Sequence, residues 1–199
     1  MIFDTETNGL PRAYSQNPYM RSNNWPDLVS ICWILLESQQ DGPPVEIKRR
    51  YTVIKPQGWT VSAESTKIHG ITHAQAVETG ADLRTVLAEF KADLQQVRWV
   101  IAHNMAFDSN VMINAYYWRL RDDPTRFWDK KKEFCSMLQS ADELNIIGAN
   151  GKPKWPKLDE LYAKTFSKSA PVNAHNAERD VDVLCDVVRS RWLDALMLE

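Results

Sequence analysis

The spacing of apolar residues changes along this chain, and that change restricts the folds open to it. Residues 28–37 and 45–54 are rich in β-branched and aromatic residues, and the polar stretch between them contains glycine and proline, which predicts an antiparallel hairpin. From Asp82, the expected N-cap, apolar residues recur at helical spacing. Residues 99–102 resemble a short buried strand followed by further helices. The pattern predicts an α/β fold with a mixed central sheet, an antiparallel hairpin plus parallel strands, flanked by helices.

The remaining elements follow from the same periodicities. Helices are expected over about residues 106–120, 138–145, 157–165 and 174–197, and a brief strand near 134–137. Residues 12–26 are expected to form a long loop. Its Tyr14, Tyr19 and Trp25 are predicted to pack against their own domain; the alternative is that they stack on nucleic-acid bases.

Composition excludes some classes of protein without naming a function. The 199 residues carry 24 Lys plus Arg against 26 Asp plus Glu, a net charge of −2, which excludes a binder whose whole surface attracts polyanions. No signal-peptide pattern and no apolar stretch of membrane-spanning length is present, so we expect a soluble intracellular protein, cytoplasmic or associated with nucleoid or nucleus, with no membrane partner. The three cysteines have no paired spacing and are expected to be small buried residues.

Asp4 and Glu6 are two residues apart on a predicted strand, so both carboxylates point to one face. Two such charges repel unless a cation lies between them, and carboxylate oxygens suit Mg²⁺ or Mn²⁺. The same pattern also describes a solvated strand edge. The turn that follows at Asn8-Gly9 favours a site, because ligands bind α/β sheets at the carboxyl ends of strands.

Asp108 follows the buried strand and heads the apolar row of the next predicted helix, so it points toward the core and needs a partner. An acidic residue favoured by the helix dipole is the equally open alternative.

The last predicted helix separates one aspartate from two others. Asp180 heads its apolar row, whereas Asp182 and Asp186 lie about 200° and about 240° around the helix and are assigned to solvent. His175 precedes Asp180 by five residues at the helix entrance, where an imidazole can accept a proton from water.

These segments together resemble the DEDDh (DnaQ-like) 3′-to-5′ exonucleases of the ribonuclease-H-like superfamily. Phe3-Asp4-Thr5-Glu6 resembles their first motif, His103-Asn104 with Phe107-Asp108 the second, and His175-Asn176-Ala177 with Asp180 the third. Weaker similarities at residues 68–72, 135–137 and 157–162 fill the gaps in the same order. The resemblance implies one ribonuclease-H-like exonuclease domain over residues 1–199.

The resemblance also implies a two-metal phosphodiesterase that removes nucleoside 5′-monophosphates from the 3′ end of single-stranded DNA or RNA, with DNA favoured. Two divalent ions, Mg²⁺ or Mn²⁺, would be held by the four acidic residues, and His175 would be the general base. A polymerase or another replication or repair protein is a compatible partner. The alternatives are an RNA-trimming or oligoribonucleotide-degrading enzyme and a non-catalytic nucleic-acid-binding module associated with a polymerase. The substrate-binding residues implied are Thr7, Leu10, His69, Asn104 and Phe107.

A basic and aromatic patch lies outside these motifs. Lys152, Lys154 and Lys157 surround Trp155 in a loop with glycine and proline, just before a predicted helix. We expect this loop to supply an additional contact to the nucleic-acid backbone.

Overall fold

Five strands form one mixed sheet: β1 (Ile2–Thr7), β2 (Leu28–Glu37), β3 (Val45–Val53), β4 (Trp99–Ala102) and β5 (Lys132–Cys135). Their order is β3-β2-β1-β4-β5, with β1 at the centre. The computed structural model describes residues 1–40, 42–171 and 175–198, with side chains through residue 196. The pairs β1–β2 and β2–β3 are antiparallel, and β1–β4 and β4–β5 are parallel. The predicted mixed sheet is therefore confirmed.

Helices cover both faces of the sheet. They are α1 (Ala63–His69), α2 (His73–Thr79), α3 (Leu83–Gln96), α4 (Met105–Asn114), α5 (Ser136–Leu144), α6 (Leu158–Phe166), α7 (Ala177–Arg191) and α8 (Leu193–Leu198). A π-helical stretch, Ala115–Leu120, continues α4, and a short 3₁₀ turn spans Pro124–Arg126. Among the described helices, none has the length and apolar character needed to cross a bilayer.

Alternation along β1 divides the core into two layers. Phe3 points into the layer built with α3 and α4, where its ring meets Phe90 edge-on at 5.6 Å. Ile2 points to the other face and packs with Val181 and Leu184 of α7. Since side chains two residues apart share a face, this parity sends the next even-numbered residues toward α7. This alternation of side chains along β1 determines which carboxylates lie close together.

Two helices, α1 and α2, are absent from the sequence prediction although their caps can be read in the sequence. Ser62 accepts a hydrogen bond from the Ser65 amide at 3.0 Å and caps α1. Thr72 and Gln75 form a reciprocal capping box at the start of α2. Each helix has only seven residues and is partly exposed, so its apolar residues are too few to show a helical period in the sequence.

The last helix is not continuous, which corrects the expected single helix. Trp192 adopts φ −134° between α7 and α8, where its ring packs on Phe134 at 5.2 Å. The expected start near Ala174 lies outside the described residues. The strand expected at 134–137 lies two residues earlier, as β5, because Ser136 already begins α5.

Candidate active site

Asp4, Glu6 and Asp180 meet at the carboxyl end of β1. One carboxylate oxygen from each lies within 4.8 Å of the other two. Asp4 and Glu6 reach this point because the even-numbered residues of β1 face α7, and Asp180 lies in the first turn of α7. We call these residues the acidic trio.

The acidic trio is arranged at an electrostatic cost when no cation lies among its members. Burial, followed by the charges of Asp108, Glu6 and Asp180, raises the pKa of Asp4 well above its usual value. Burial and the neighbouring carboxylates raise the pKa of Glu6 to about 8, and burial also raises the pKa of Asp180. Closely spaced hard oxygen donors with such pKa values fit a divalent cation of the Mg²⁺ or Mn²⁺ type.

Arg179 supplies the one guanidinium that touches the acidic trio among the described residues. Its Nη1 donates to Asp180 Oδ1 at 2.6 Å, and its Nη2 forms an ion pair with Asp159 Oδ1 at 2.7 Å. Its Nε also donates to the Pro171 carbonyl at 3.0 Å. The guanidinium therefore engages one of the two oxygens that Asp180 has available for a cation.

Asp108 approaches from the opposite face of the sheet and is not part of the acidic trio. Its Oδ1 accepts two hydrogen bonds from Thr5, from the amide at 3.0 Å and from the hydroxyl at 2.6 Å. Burial raises the pKa of Asp108 to about 7 even though these hydrogen bonds favour the charged form. Thr5, an odd-numbered residue of β1, thus fixes a fourth carboxylate beside the other three.

His175 stands at the mouth of the site with its side chain exposed. Its backbone has φ 61°, in the left-handed region, and its amide donates to Asp180 Oδ2 at 3.2 Å. The carboxylate of Asp180 therefore holds the turn that carries the imidazole. Asp182 and Asp186 are exposed, as their positions around the helix predict.

An open cleft of about 480 Å³ is lined by two members of the acidic trio, Asp4 and Asp180. Two of the five predicted substrate-binding residues, Asn104 and Phe107, line it together with Asp4, Asp108, His175 and Asp180. The opposite wall is the segment from Trp155 to Asp159 that leads into α6. The volume of this cleft is in the range of small-molecule sites and suits a nucleotide-sized ligand.

The other three predicted substrate-binding residues lie outside the described lining of the cleft. Leu10 is 72% exposed beyond β1, and the Thr7 hydroxyl donates to the Gly9 carbonyl at 2.6 Å. His69 is buried at the end of α1, where its Nδ1 accepts from the Ile71 amide at 3.1 Å. Burial lowers the pKa of His69, whose Nε2 is buried without a hydrogen-bond partner among the described residues.

The aromatic residues of the loop at residues 12–26 fall into two groups, those packed against other rings and one that is largely exposed. Trp25 is buried, donates to the Gln16 carbonyl at 2.9 Å and meets Phe107 edge-on at 6.1 Å, which agrees with the packing prediction. Tyr19 packs against Tyr117, whereas Tyr14 is 60% exposed.

The basic and aromatic patch is less cationic than its composition implies. Lys154 is paired with Glu160 at 2.6 Å, so its charge is compensated. Lys152 and Lys157 are exposed, and only Lys157 of the three lines the cleft.

Arg179 and Thr5 are missed by sequence reasoning. No sequence spacing marks either residue as part of the site, because their partners lie on other elements: Asp159 for Arg179 and Asp108 for Thr5. A weak signal for Thr5 is its place between two carboxylates on a strand, which turns its side chain to the other face.

Comparisons with known proteins give the family and the fold. The "Exonuclease" family model, RNase_T, matches residues 1–188. Escherichia coli Exonuclease I in complex with a dT13 oligonucleotide superposes with a TM-score of 0.73 at 18% identity, over 99% of this chain and 42% of that chain. The zinc-bound complex of the same enzyme with single-stranded DNA gives 0.69 at 18% identity, over 99% and 42%.

Exonuclease I from Methylocaldum szegediense gives a TM-score of 0.65 at 20% identity, over 96% of this chain and 40% of that chain. The chain thus spans less than half the length of these solved structures. No curated protein sequence matches it. The match over residues 1–188 and the shared strand arrangement agree with the resemblance of the motifs. The chain therefore belongs to the RNase_T exonuclease family and has the ribonuclease-H-like fold of the Exonuclease I structures.

Proposed function

We propose that this chain is a metal-dependent 3′-to-5′ exonuclease of the DEDDh type that releases nucleoside 5′-monophosphates from single-stranded DNA. The observation that carries the proposal is the convergence of Asp4, Glu6 and Asp180 within 4.8 Å, beside an exposed histidine and an open cleft. Family membership and the DNA-bound Exonuclease I structures of the same fold support it.

The acidic trio and Asp108 would hold two divalent cations, Mg²⁺ or Mn²⁺. When bound, such ions supply charge stabilisation to both the attacking and the leaving oxygen of an in-line displacement. Asp4, Glu6 and Asp180 are the direct ligands in this proposal. Asp108, whose Oδ1 is engaged by Thr5, acts with its remaining oxygen or through a water molecule.

The protein's own side chains supply the other functions. His175 accepts the proton of the attacking water, because its imidazole is exposed at the cleft mouth and its backbone is tied to Asp180. Asn104 and Phe107 hold the terminal nucleotide on one wall, and Lys157 faces its phosphate from the other. Thr7, Leu10 and His69 stay proposed contacts to the 3′ end beyond the described cleft.

A strand-direction assay tests the proposal. An oligothymidylate labelled at its 3′ end should release labelled mononucleotide in the first turnover, whereas the same oligomer labelled at its 5′ end should give a ladder of shortening products. Both reactions should stop with a chelator and in Asp4→Asn. Hydrolysis that survives both treatments would contradict the proposed chemistry.

The alternatives give different outcomes in the same assay. Faster hydrolysis of a matched RNA oligomer would identify an RNA-trimming or oligoribonucleotide-degrading enzyme, because the acidic site itself does not read the sugar. Tight binding of 3′ ends without product, even with Mn²⁺, would identify a non-catalytic module. A polymerase or other replication or repair partner stays a prediction, testable by co-purification from cells.

A further inference from the structure

Trp155 lies on the ridge between the catalytic cleft and a second groove. Trp155 is 61% exposed, a high fraction for a residue with so large an apolar surface. The second groove has a volume of about 470 Å³. Its described lining is Ala141, Asp142, Asn145, Ile146, Pro153, Lys154 and Trp155. Since Trp155 lines both spaces, a chain leaving the catalytic cleft on this side must pass over the indole.

We infer that Trp155 is a stacking platform for the nucleobase next to the 3′-terminal nucleotide and that this base lies in the second groove. This inference rests on the proposed function, because it gives the same cleft a second nucleotide subsite. Each space has the size of a pocket for one drug-sized ligand, about 300–1,000 Å³. The terminal nucleotide occupies the catalytic cleft, and its neighbour therefore needs the adjoining groove.

The loop that carries Trp155 is held in place on both sides of the indole. On one side the Lys154 amide donates to the Ile146 carbonyl at 2.9 Å and closes a hairpin. On the other side the Pro156 carbonyl is hydrogen-bonded to His103 Nε2 at 3.0 Å. His103 itself is bonded to Ser136 through Nδ1 at 2.9 Å. A platform fixed in this way loses little conformational freedom when a base stacks on it.

The charges of the second groove favour a base over a phosphate. Asp142 is exposed on its wall, and the cationic side chain of Lys154 is already paired with Glu160. A phosphate would meet a carboxylate there with no uncompensated lysine among the described lining residues. Stacking of an aromatic face on a base needs no positive charge and tolerates any base. The cationic contact comes instead from Lys157 in the catalytic cleft.

A competing path for the strand would run past Tyr14, the exposed aromatic residue of the loop at residues 12–26. Tyr14 is about as exposed as Trp155, but its ring rests edge-on against Trp25 at 6.4 Å. Tyr14 also lies outside the described lining of both grooves. The described geometry therefore favours the side of Trp155.

The test measures kcat/KM on an oligothymidylate of eight nucleotides, with the p-nitrophenyl ester of thymidine 5′-monophosphate as a substrate without a second base. Trp155→Ala and Trp155→Leu should lower kcat/KM on the octamer at least about fivefold, since stacking contributes about 1–3 kcal/mol per base. The loss should be larger on the octamer than on the ester. Trp155→Phe should recover most of it, because the aromatic face is restored. Ile147→Ala removes an exposed apolar side chain from the same hairpin and is the matched control.

Four outcomes decide the inference. A length-dependent loss in Trp155→Ala and Trp155→Leu, recovered in Trp155→Phe and absent in Ile147→Ala, supports it. Equal losses on octamer and ester, or equal values for the leucine and phenylalanine variants, overturn it and leave the proposed function standing. A loss in Tyr14→Ala with none in Trp155→Ala places the strand on the other side and also overturns it. Wild-type protein that hydrolyses none of these substrates overturns the proposed function, and this subsite with it.

Discussion

Asp4 and Glu6 make the stability of the metal-free protein depend on pH. The pKa of Glu6 rises from 4.5 to about 8 on folding, and that of Asp4 also rises. The folded state therefore binds more protons than the unfolded chain between these values, so stability falls as pH rises through this range. The melting temperature without metal should be higher near pH 5 than near pH 8, measured by thermal unfolding with a chelator present.

Millimolar Mg²⁺ should reverse this loss, because a cation that binds only the folded state stabilises it. The rise in melting temperature should be larger near pH 8 than near pH 5, where protons compete for the carboxylates. Asp4→Asn should reduce the Mg²⁺-induced rise. Equal Mg²⁺ effects at both pH values would contradict the assignment of the acidic trio.

His175 should act on the chemical step. His175→Ala is expected to lower kcat about 10²- to 10⁴-fold, the range for loss of a general base, with a smaller change in KM. Free imidazole in solution should restore part of the activity, since the exposed position leaves room for it. A variant that retains more than about a tenth of the wild-type kcat would remove His175 from this role.

At the level of elements, Asp93 joins α3 to the hairpin. It is buried, accepts from Trp33 Nε1 at 2.7 Å and pairs with Lys48 at 2.7 Å. Asp93→Ala should lower the free energy of unfolding by about 3 kcal/mol, because it leaves a buried indole N–H without its partner. Glu89→Ala is the matched control: it pairs with the same lysine at 3.3 Å but is 34% exposed, and should cost under about 1 kcal/mol. Similar losses of unfolding free energy in the two variants, measured by chemical denaturation, would contradict this prediction.

Long elements could be predicted from periodicity, and short ones could not. The helix α3 begins after Asp82, whose side chain accepts from the Thr85 amide, as its N-cap pattern predicts. By contrast, Trp192 interrupts the last helix at the point where its ring packs on Phe134 from another element. A tertiary contact of this kind leaves no periodic signal.

At the scale of the whole molecule, the net charge of −2 limits how strongly salt affects substrate binding. Phosphate contacts from the two exposed lysines of the basic and aromatic patch, Lys152 and Lys157, predict a slope of about −1.4 for the logarithm of affinity against the logarithm of salt concentration. Titration of a labelled single-stranded oligomer at several salt concentrations measures it. A slope steeper than about −4 would require some six contacts, more than these two lysines supply, and would contradict this prediction.

The sequence alone determined the fold class and the side chains most suited to chemistry, because alternation on β1 and the apolar row of α7 are local patterns that orient Asp4, Glu6 and Asp180. Only the tertiary structure decided which groups meet. It brought Thr5 to Asp108 and Arg179 to Asp159, and it set Trp155 between two grooves. Contacts between residues distant in the chain depend on how layers pack, and no spacing within one element encodes that.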